Sequence, residues 1–355
     1  MSVASLARPE IRKLQPYKAA MQVDNAVRLN ANEAPWNSSG DRFRRPLNRY
    51  PEIRPARLQD QLSLRFGCEP DQLLVTRGSS EAIDLLLRAF CRAGVDNIVT
   101  ISPSFSMYSH YAEIQGAEVR EVALPRDRDF DVDTNAILAA CDDRTRLVFV
   151  CTPNNPTGTT VSRDKIVELL QSRRDKSVII VDEAYIEFAD ASSCTDMLDA
   201  HDNLVVLRTL SKALAFAGVR CGAVMGNIQV IGMLNAIQAP YALATPVVEC
   251  VENALQADQL EQAAKGVALI VEERERVTDA LGAHELVEKI WPSSANFFLM
   301  QVNNAEAVVT ACEERNILLR YFGGSLADCI RVTIGSPEEN DRLLGAFDSL
   351  PGARS

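Results

Sequence analysis

Between about Leu58 and Asn227 the chain alternates between two periods. Helical spacing over Ala56–Phe66, ended by Gly67, gives way to a short strand-like run at Gln72–Val75. An amphipathic stretch at Ser79–Cys91 then gives way to Ile98–Ile101. The exchange continues through strand-like Leu147–Val150, helical Ser162–Leu170, and strand-like Val178–Val181, Leu204–Leu207 and Cys221–Met225. Val178-Ile179-Ile180-Val181 is apolar at every position, the pattern of a strand with helices on both faces. The expected class is α/β, with a mostly parallel central sheet flanked by helices.

Past Pro240 and Pro246 the texture changes. One long helix is expected from about Pro246 to Leu281. After it come a strand at Ala295–Val302, a helix at Ala305–Arg315, strands at Ile317–Tyr321 and Cys329–Ile334, and a closing helix after Pro337. These elements read as a smaller α+β unit. The first 45 residues carry no long periodic segment and are punctuated by Pro9, Pro16 and Pro35. The expected division is an arm, 1–45, packed on the smaller unit or on a partner subunit; a large unit, 46–245; and a small unit, 246–355.

Length and composition fit two such units. The chain has 355 residues, 47% hydrophobic and 24% charged, enough for a sizeable buried core and free of low-complexity bias. With 37 Lys and Arg against 48 Asp and Glu, the net charge of −11 repels phosphodiester backbones and anionic lipid, so neither nucleic acid nor membrane is an expected partner. An anionic substrate would have to be met by locally placed arginines or lysines. The 9 cysteines are odd in number and form no Cys-x-x-Cys pair. A disulfide framework and a metal site are therefore not expected, and reduced core thiols in a cytoplasmic protein are. No apolar export segment and no run of about 18 to 20 apolar residues is present.

Candidate chemistry sits where the predicted strands end. Thr152-Pro153-Asn154-Asn155-Pro156-Thr157-Gly158 follows one strand as a rigid irregular turn, at the edge where open α/β sheets bind ligands. Asp182-Glu183-Ala184-Tyr185 ends another, placing a partly desolvated carboxylate that wants a cation, with a phenol three residues on. Arg208-Thr209-Leu210-Ser211-Lys212 follows a third, with Arg220 behind it. Lys212 there is suited to forming a Schiff base with an aldehyde if it is desolvated. Gly78-Ser79-Ser80-Glu81 opens a helix whose amino-terminal N–H groups favour an anion. Singly, each motif also fits a plain turn, a helix cap or a surface lysine.

In this order and these places, the motifs together resemble the fold type I aminotransferases, which use pyridoxal 5′-phosphate. The resemblance spans essentially the whole chain. Within that group, Leu29-Asn30-Ala31-Asn32-Glu33, Asn48-Arg49-Tyr50-Pro51 and Asp182-Glu183-Ala184-Tyr185-Ile186-Glu187-Phe188 are similar to the histidinol-phosphate aminotransferases. So are Arg208-Thr209-Leu210-Ser211-Lys212-Ala213 and Ile330-Arg331-Val332-Thr333-Ile334-Gly335.

The resemblance implies a role for each matching residue. Lys212 would bind the cofactor aldehyde, and Asp182 would keep the pyridine nitrogen protonated. Asn155 and Tyr185 would bond the 3′ oxygen, and Phe105 would stack on the ring. Gly78, Ser79, Ser80, Ser211 and Arg220 would hold the phosphate, joined by Tyr50 from the neighbouring subunit of a homodimer. Tyr17, Asn32, Arg320 and Arg331 would bind the substrate, a phosphorylated amine that exchanges its amino group with a 2-oxo acid in histidine biosynthesis. Ser106 stands where the family commonly has Gly, and the Tyr321–Gly324 stretch after Arg320 is unlike a fixed motif. Because Arg331 could instead fork an α-carboxylate, an aromatic or broad-range aminotransferase remains open at this stage. So does a threonine-phosphate decarboxylase built around the same lysine. The clustered Arg42, Arg44, Arg45, Arg49, Arg54 and Arg57 could line the dimer mouth but read rather as solvated or structural.

Overall fold

The computed structural model describes residues 2–18, 20–22 and 26–350; parts of the expected arm and the end of the expected small unit, 351–355, lie outside them. Seven strands form the larger sheet: β1 (Leu73–Thr76), β2 (Asn97–Ser102), β3 (Glu118–Ala123), β4 (Thr145–Cys151), β5 (Val178–Asp182), β6 (Leu204–Thr209) and β7 (Gly222–Gly226). They lie in the order β1-β7-β6-β5-β4-β2-β3, and β2 to β6 pair in parallel. β7 runs antiparallel to both β1 and β6. The stretch 210–221 joining β6 to β7 holds no crossover helix, so the chain can only turn back on itself.

The wholly apolar strands serve two cores. Leu147, Phe149, Ile180, Val205 and Leu207 face one helical layer with Ile83, Leu86 and Leu87. Val148, Val150, Ile179, Val181 and Val206 face the other, with Leu58, Leu62, Ile166 and Leu169. A period of two along buried strands sends alternate side chains into opposite layers, and here both layers are buried. The helix Ala56–Phe66 stops where Gly67 takes φ 72°, a left-handed cap that costs glycine little.

Four strands make the smaller sheet: β8 (Val287–Ile290), β9 (Phe297–Val302), β10 (Arg320–Gly323) and β11 (Leu326–Thr333), antiparallel in the order β10-β11-β9-β8. Phe298, Met300, Ile330 and Val332 pack under Val277, Leu281 and Phe347 as a separate core. Leu299, Cys329 and Trp291 instead join the large core. At this seam Arg126 donates both terminal nitrogens to Asp328, at 3.0 and 2.8 Å, and Lys289 bonds Asp129.

Several expectations are corrected. The single helix over 246–281 is two, Thr245–Ala254 and Ala257–Gly282, broken where Gln256 is extended. Val248 and Val251 of the first enter the large core and Val277 and Leu281 of the second the small one. One straight rod could not turn the same face to both. The strand expected at Ile317–Tyr321 begins three residues later, at Arg320. The start of the arm packs on the large unit rather than the small one: Val3, Leu6 and Ala7 lie in the layer with Ile83, Phe90 and Leu234, and Arg8 N donates to Ala89 O. Further on, Arg44 and Arg45 bind Glu252, Arg49 binds Glu33 and Arg54 binds Asn235, so these arginines fasten the arm and its exit. All nine cysteines are free thiols. No helix among the described residues is long and apolar enough to cross a membrane.

Candidate active site

The carboxyl ends of β1, β4, β5 and β6 open onto one cleft. Ser79 and Ser80 line one end, Asp182 and Tyr185 the floor, Phe105 a wall, and Ser211, Lys212 and Arg220 the side facing β7.

The first end is an anion cradle. Gly78, at φ 80°, caps the helix Ser79–Phe90 with no side-chain cap bond among the described residues. Ser79 is therefore in the first turn rather than the cap. Arg220 Nη1 donates to Ser211 Oγ at 3.3 Å and to Ala217 O at 2.9 Å, while Thr209 Oγ1 reaches Ser211 Oγ at 3.0 Å. The guanidinium lies against bare backbone. A Cβ on Gly78 would come 3.0 Å from Arg220 Nη2, and one on Gly222 would lie 2.7 Å from Arg208 O and 3.0 Å from Gly78 Cα. Hydroxyls, a guanidinium and a helix amino terminus converge as a phosphate requires.

The floor is a buried carboxylate whose hydrogen-bond partners are neutral. Asp182 is 2% exposed; Tyr108 Oη donates to its Oδ2 at 2.7 Å and Ala184 N to its Oδ1 at 3.1 Å. Burial pushes its carboxyl up to about 6, against the pull of those two bonds and of nearby Lys212. Glu183, beside it, turns away to accept from Cys194 N and Ser193 Oγ and to meet Arg208, which holds the loop that carries Tyr185.

Lys212 points its amine into the cleft, Nζ 5.4 Å from the centre of the Tyr185 ring. Surrounding protein strips hydration from that amine and lowers its pKa, helped by Arg331 and Arg220 and opposed by Asp182. Burial raises the Tyr185 phenol. Its hydroxyl accepts from Asn155 Nδ2 at 3.4 Å, and Asn155 Oδ1 accepts from Arg331 Nη1 at 2.5 Å.

Arg331, on β11 of the smaller sheet, is thereby linked through Asn155 to Tyr185 on the cleft's floor. Its neighbour across the ladder is Arg320 of β10, and both guanidinium groups lie over the Phe322 ring, at 5.7 and 5.3 Å. Arg331 Nε is buried with no hydrogen-bond partner among the described residues. Two like charges side by side, one with an orphaned donor, call for an anion.

Four expected residues are not brought to this cleft within the chain: Arg320, exposed and lying over Phe322, and Tyr50, Tyr17 and Asn32. Tyr50, 49% exposed, stacks on Tyr241 at 4.7 Å and lines a separate hollow with Arg28, Arg45 and Arg49. Tyr17 is 59% exposed, and Asn32 is exposed at φ 56°. Conversely, sequence reasoning missed Tyr108, Cys151 and Thr209. Tyr108 follows Phe105 by about one helical turn, but nothing along the chain foretells that it meets a carboxylate 74 residues away.

The donor set fits pyridoxal 5′-phosphate. The cradle suits its phosphate, the buried and neutrally partnered Asp182 suits a pyridinium, and the lowered amine of Lys212 suits its aldehyde. Comparison with known proteins points the same way. The profile of the aminotransferase class I and II family matches residues 21–347. A histidinol-phosphate aminotransferase of Xylella fastidiosa is 40% identical over 98% of this chain and 97% of that protein. The crystal structure of the histidinol-phosphate aminotransferase from Clostridium acetobutylicum superposes with a TM-score of 0.76, at 25% identity over 85% of this chain and 90% of the other. The Sinorhizobium meliloti enzyme of that name, in complex with pyridoxal 5′-phosphate, shares the fold with a TM-score of 0.78 at 22% identity, over 85% of this chain and 82% of that one. With a fold, a cleft and a full-length likeness in agreement, this chain belongs to the class I and II aminotransferases.

Proposed function

We propose that the protein is a pyridoxal 5′-phosphate-dependent transaminase that interconverts histidinol phosphate and 2-oxoglutarate with imidazole-acetol phosphate and glutamate, a step of histidine biosynthesis. The observation that carries this reading is the convergence of three charges from separate elements: Asp182 from β5, Lys212 after β6, and Arg331 from the smaller sheet.

When bound, the cofactor supplies an aldehyde to carry the amino group and a ring that takes up the electrons left at the substrate's α-carbon. Ser79, Ser80, Ser211 and Arg220 bind its phosphate, Asn155 and Tyr185 hydrogen-bond its 3′ oxygen, and Phe105 shields a face from water. Asp182 holds a proton at the ring nitrogen, because a buried carboxylate is ionised most easily beside a cation. Lys212 Nζ, its pKa lowered, serves as the base that takes the proton from the α-carbon. Arg331, with Arg320 beside it, binds the substrate's anionic group, and the unpartnered Nε leaves capacity for it. Tyr50, exposed and outside the cleft lining of its own chain, is assigned to the phosphate site of a second copy in a homodimer. Tyr17 and Asn32 are assigned to substrate binding, and the compartment to the cytoplasm. The large unit, 46–245, is taken as the cofactor-binding half, with 246–355 as the small unit and 1–45 as the arm.

The test is the absorbance of the cofactor-loaded protein. Histidinol phosphate should bleach the band of the bound aldehyde, and 2-oxoglutarate should restore it. Bleaching only by phenylalanine or another free amino acid would move the substrate to a broad-range aminotransferase. Carbon dioxide release without amino-group transfer would indicate the decarboxylase.

A further inference from the structure

Among the described residues, Tyr108 is the one wholly buried phenol that touches a residue of the cleft without facing the cleft itself. It lies in the first turn of the helix Met107–Gln115, whose N-cap Ser106 makes no side-chain cap bond. Its ring stacks on Phe149 of β4, with centroids 4.8 Å apart and planes 17° from parallel. Its edge relation to Phe105 is nearly perpendicular, at 5.6 Å. The hydroxyl then emerges over β5 and donates to Asp182 Oδ2 at 2.7 Å. One side chain thus holds both the residue at the cleft's floor and the aromatic at its wall.

We propose that Tyr108 is a positioning residue: its phenol fixes the plane of the Asp182 carboxylate and favours its ionised form, so that the carboxylate is set to hold a ring-nitrogen proton. This deepens the transaminase reading and rests on it. A hydrogen bond donated to a carboxylate stabilises the charged form, and among the described residues Tyr108 is the hydrogen-bond donor to that oxygen. The groups facing Asp182 are few. Cys151 of β4 is buried beside it as a neutral thiol, Glu183 follows it in the chain, and Lys212 lies across the cleft. Ala184 N holds the other oxygen. Of these, Tyr108 is the side chain that donates to the carboxylate in the absence of any ligand. The stack on Phe149 keeps the phenol from swinging away.

Tyr108→Phe removes the hydroxyl and leaves the aromatic contacts in place. The first readout uses cofactor-free protein with carbon-13 in its aspartate carboxyls, the Asp182 signal being the one lost in Asp182→Asn. In Tyr108→Phe that signal should titrate about one unit higher, a tenfold change in proton affinity. In the loaded enzyme, cofactor affinity at neutral pH should fall about tenfold, and kcat should fall more than the KM for histidinol phosphate rises. An Asp182 titration unchanged by Tyr108→Phe would overturn the proposal. Failure of the native protein to take up pyridoxal 5′-phosphate would instead sink the transaminase reading, while the cofactor-free titration would still decide whether Tyr108 governs Asp182.

Discussion

Arg331 Nη1, on the smaller sheet, donates to Asn155 Oδ1, on a turn of the larger one, at 2.5 Å. Asn155 in turn donates to the Tyr185 hydroxyl, so the side chain assigned to the substrate's anion is linked through one amide to the phenol assigned to the cofactor. An incoming anion must share that guanidinium. Replacing Arg331 with Ala removes a charge-assisted bond of about 3 kcal/mol. The kcat/KM for histidinol phosphate should therefore fall about 100-fold, mostly through KM, in steady-state assays across substrate concentration. Arg331→Lys should recover only part of the loss, since an ammonium cannot fork.

Lys212→Ala should lower turnover about 10⁴-fold or more, because both the amine and the base are lost. The same variant should still bind cofactor through Ser79, Ser211 and Arg220. Borohydride treatment should fix a cofactor adduct to the Lys212 peptide of the native protein, read by mass spectrometry, and to no peptide of the variant.

The buried Asp182 makes the cofactor-free protein sensitive to pH in a defined direction. Its folded pKa, about 6, lies above the ordinary carboxylate value of about 3.9. Between the two, the folded state keeps a proton that the unfolded chain has released. The contribution is fully present below about pH 4 and is lost as pH rises through about 6. Compared with Asp182→Asn, the native apoprotein should lose thermal stability from pH 4 to pH 7. Saturating pyridoxal 5′-phosphate should cancel much of that loss by supplying a cation. Parallel slopes for the two apoproteins would remove Asp182 as the cause.

Gly222 and Gly218 sit close in the chain but differ in surroundings. A Cβ at Gly222 would press on backbone at Arg208 O and Gly78 Cα, whereas one at Gly218 meets nothing within 4 Å. Gly222→Ala should push the helix amino terminus away from Arg220 and weaken cofactor binding about tenfold or more, the loss of one charge-assisted bond. Gly218→Ala should leave it unchanged. Equilibrium titration of each apoprotein with cofactor reads the difference.

If Tyr50 completes the site of a second subunit, two inactive variants should rescue each other. Tyr50→Ala and Lys212→Ala subunits, mixed and allowed to exchange, make hybrid dimers with one intact site each, or about a quarter of native activity for random pairing. No gain on mixing, with exchange verified, would place Tyr50 in its own chain's site.

Much of the fold was legible because it is written in local rules. The apolar runs of β4, β5 and β6 announce strands covered on both faces, Gly67 marks a helix end by its cap, and Pro337 marks a helix start. Signals weakened where a segment serves two cores, as at Gln256, or where a strand is half exposed, as at the edge strand β3. The candidate site was legible as motifs: Asn155, Asp182, Tyr185, Ser211, Lys212 and Arg220 all stand near strand ends, and their types alone restrict the chemistry.

What the sequence determined by itself was thus the residue types and their order: an amine, a carboxylate, hydroxyls and arginines at successive strand exits, in a chain that must bury parallel strands between helices. Only the tertiary structure decided that Tyr108 bonds Asp182, that Arg331 crosses from the smaller sheet to Asn155, and that Tyr50 stays out of its own chain's cleft. Helical and strand periods are set by neighbours a few residues away, but these contacts join residues 74 and 176 positions apart, and they exist only once distant elements have packed together.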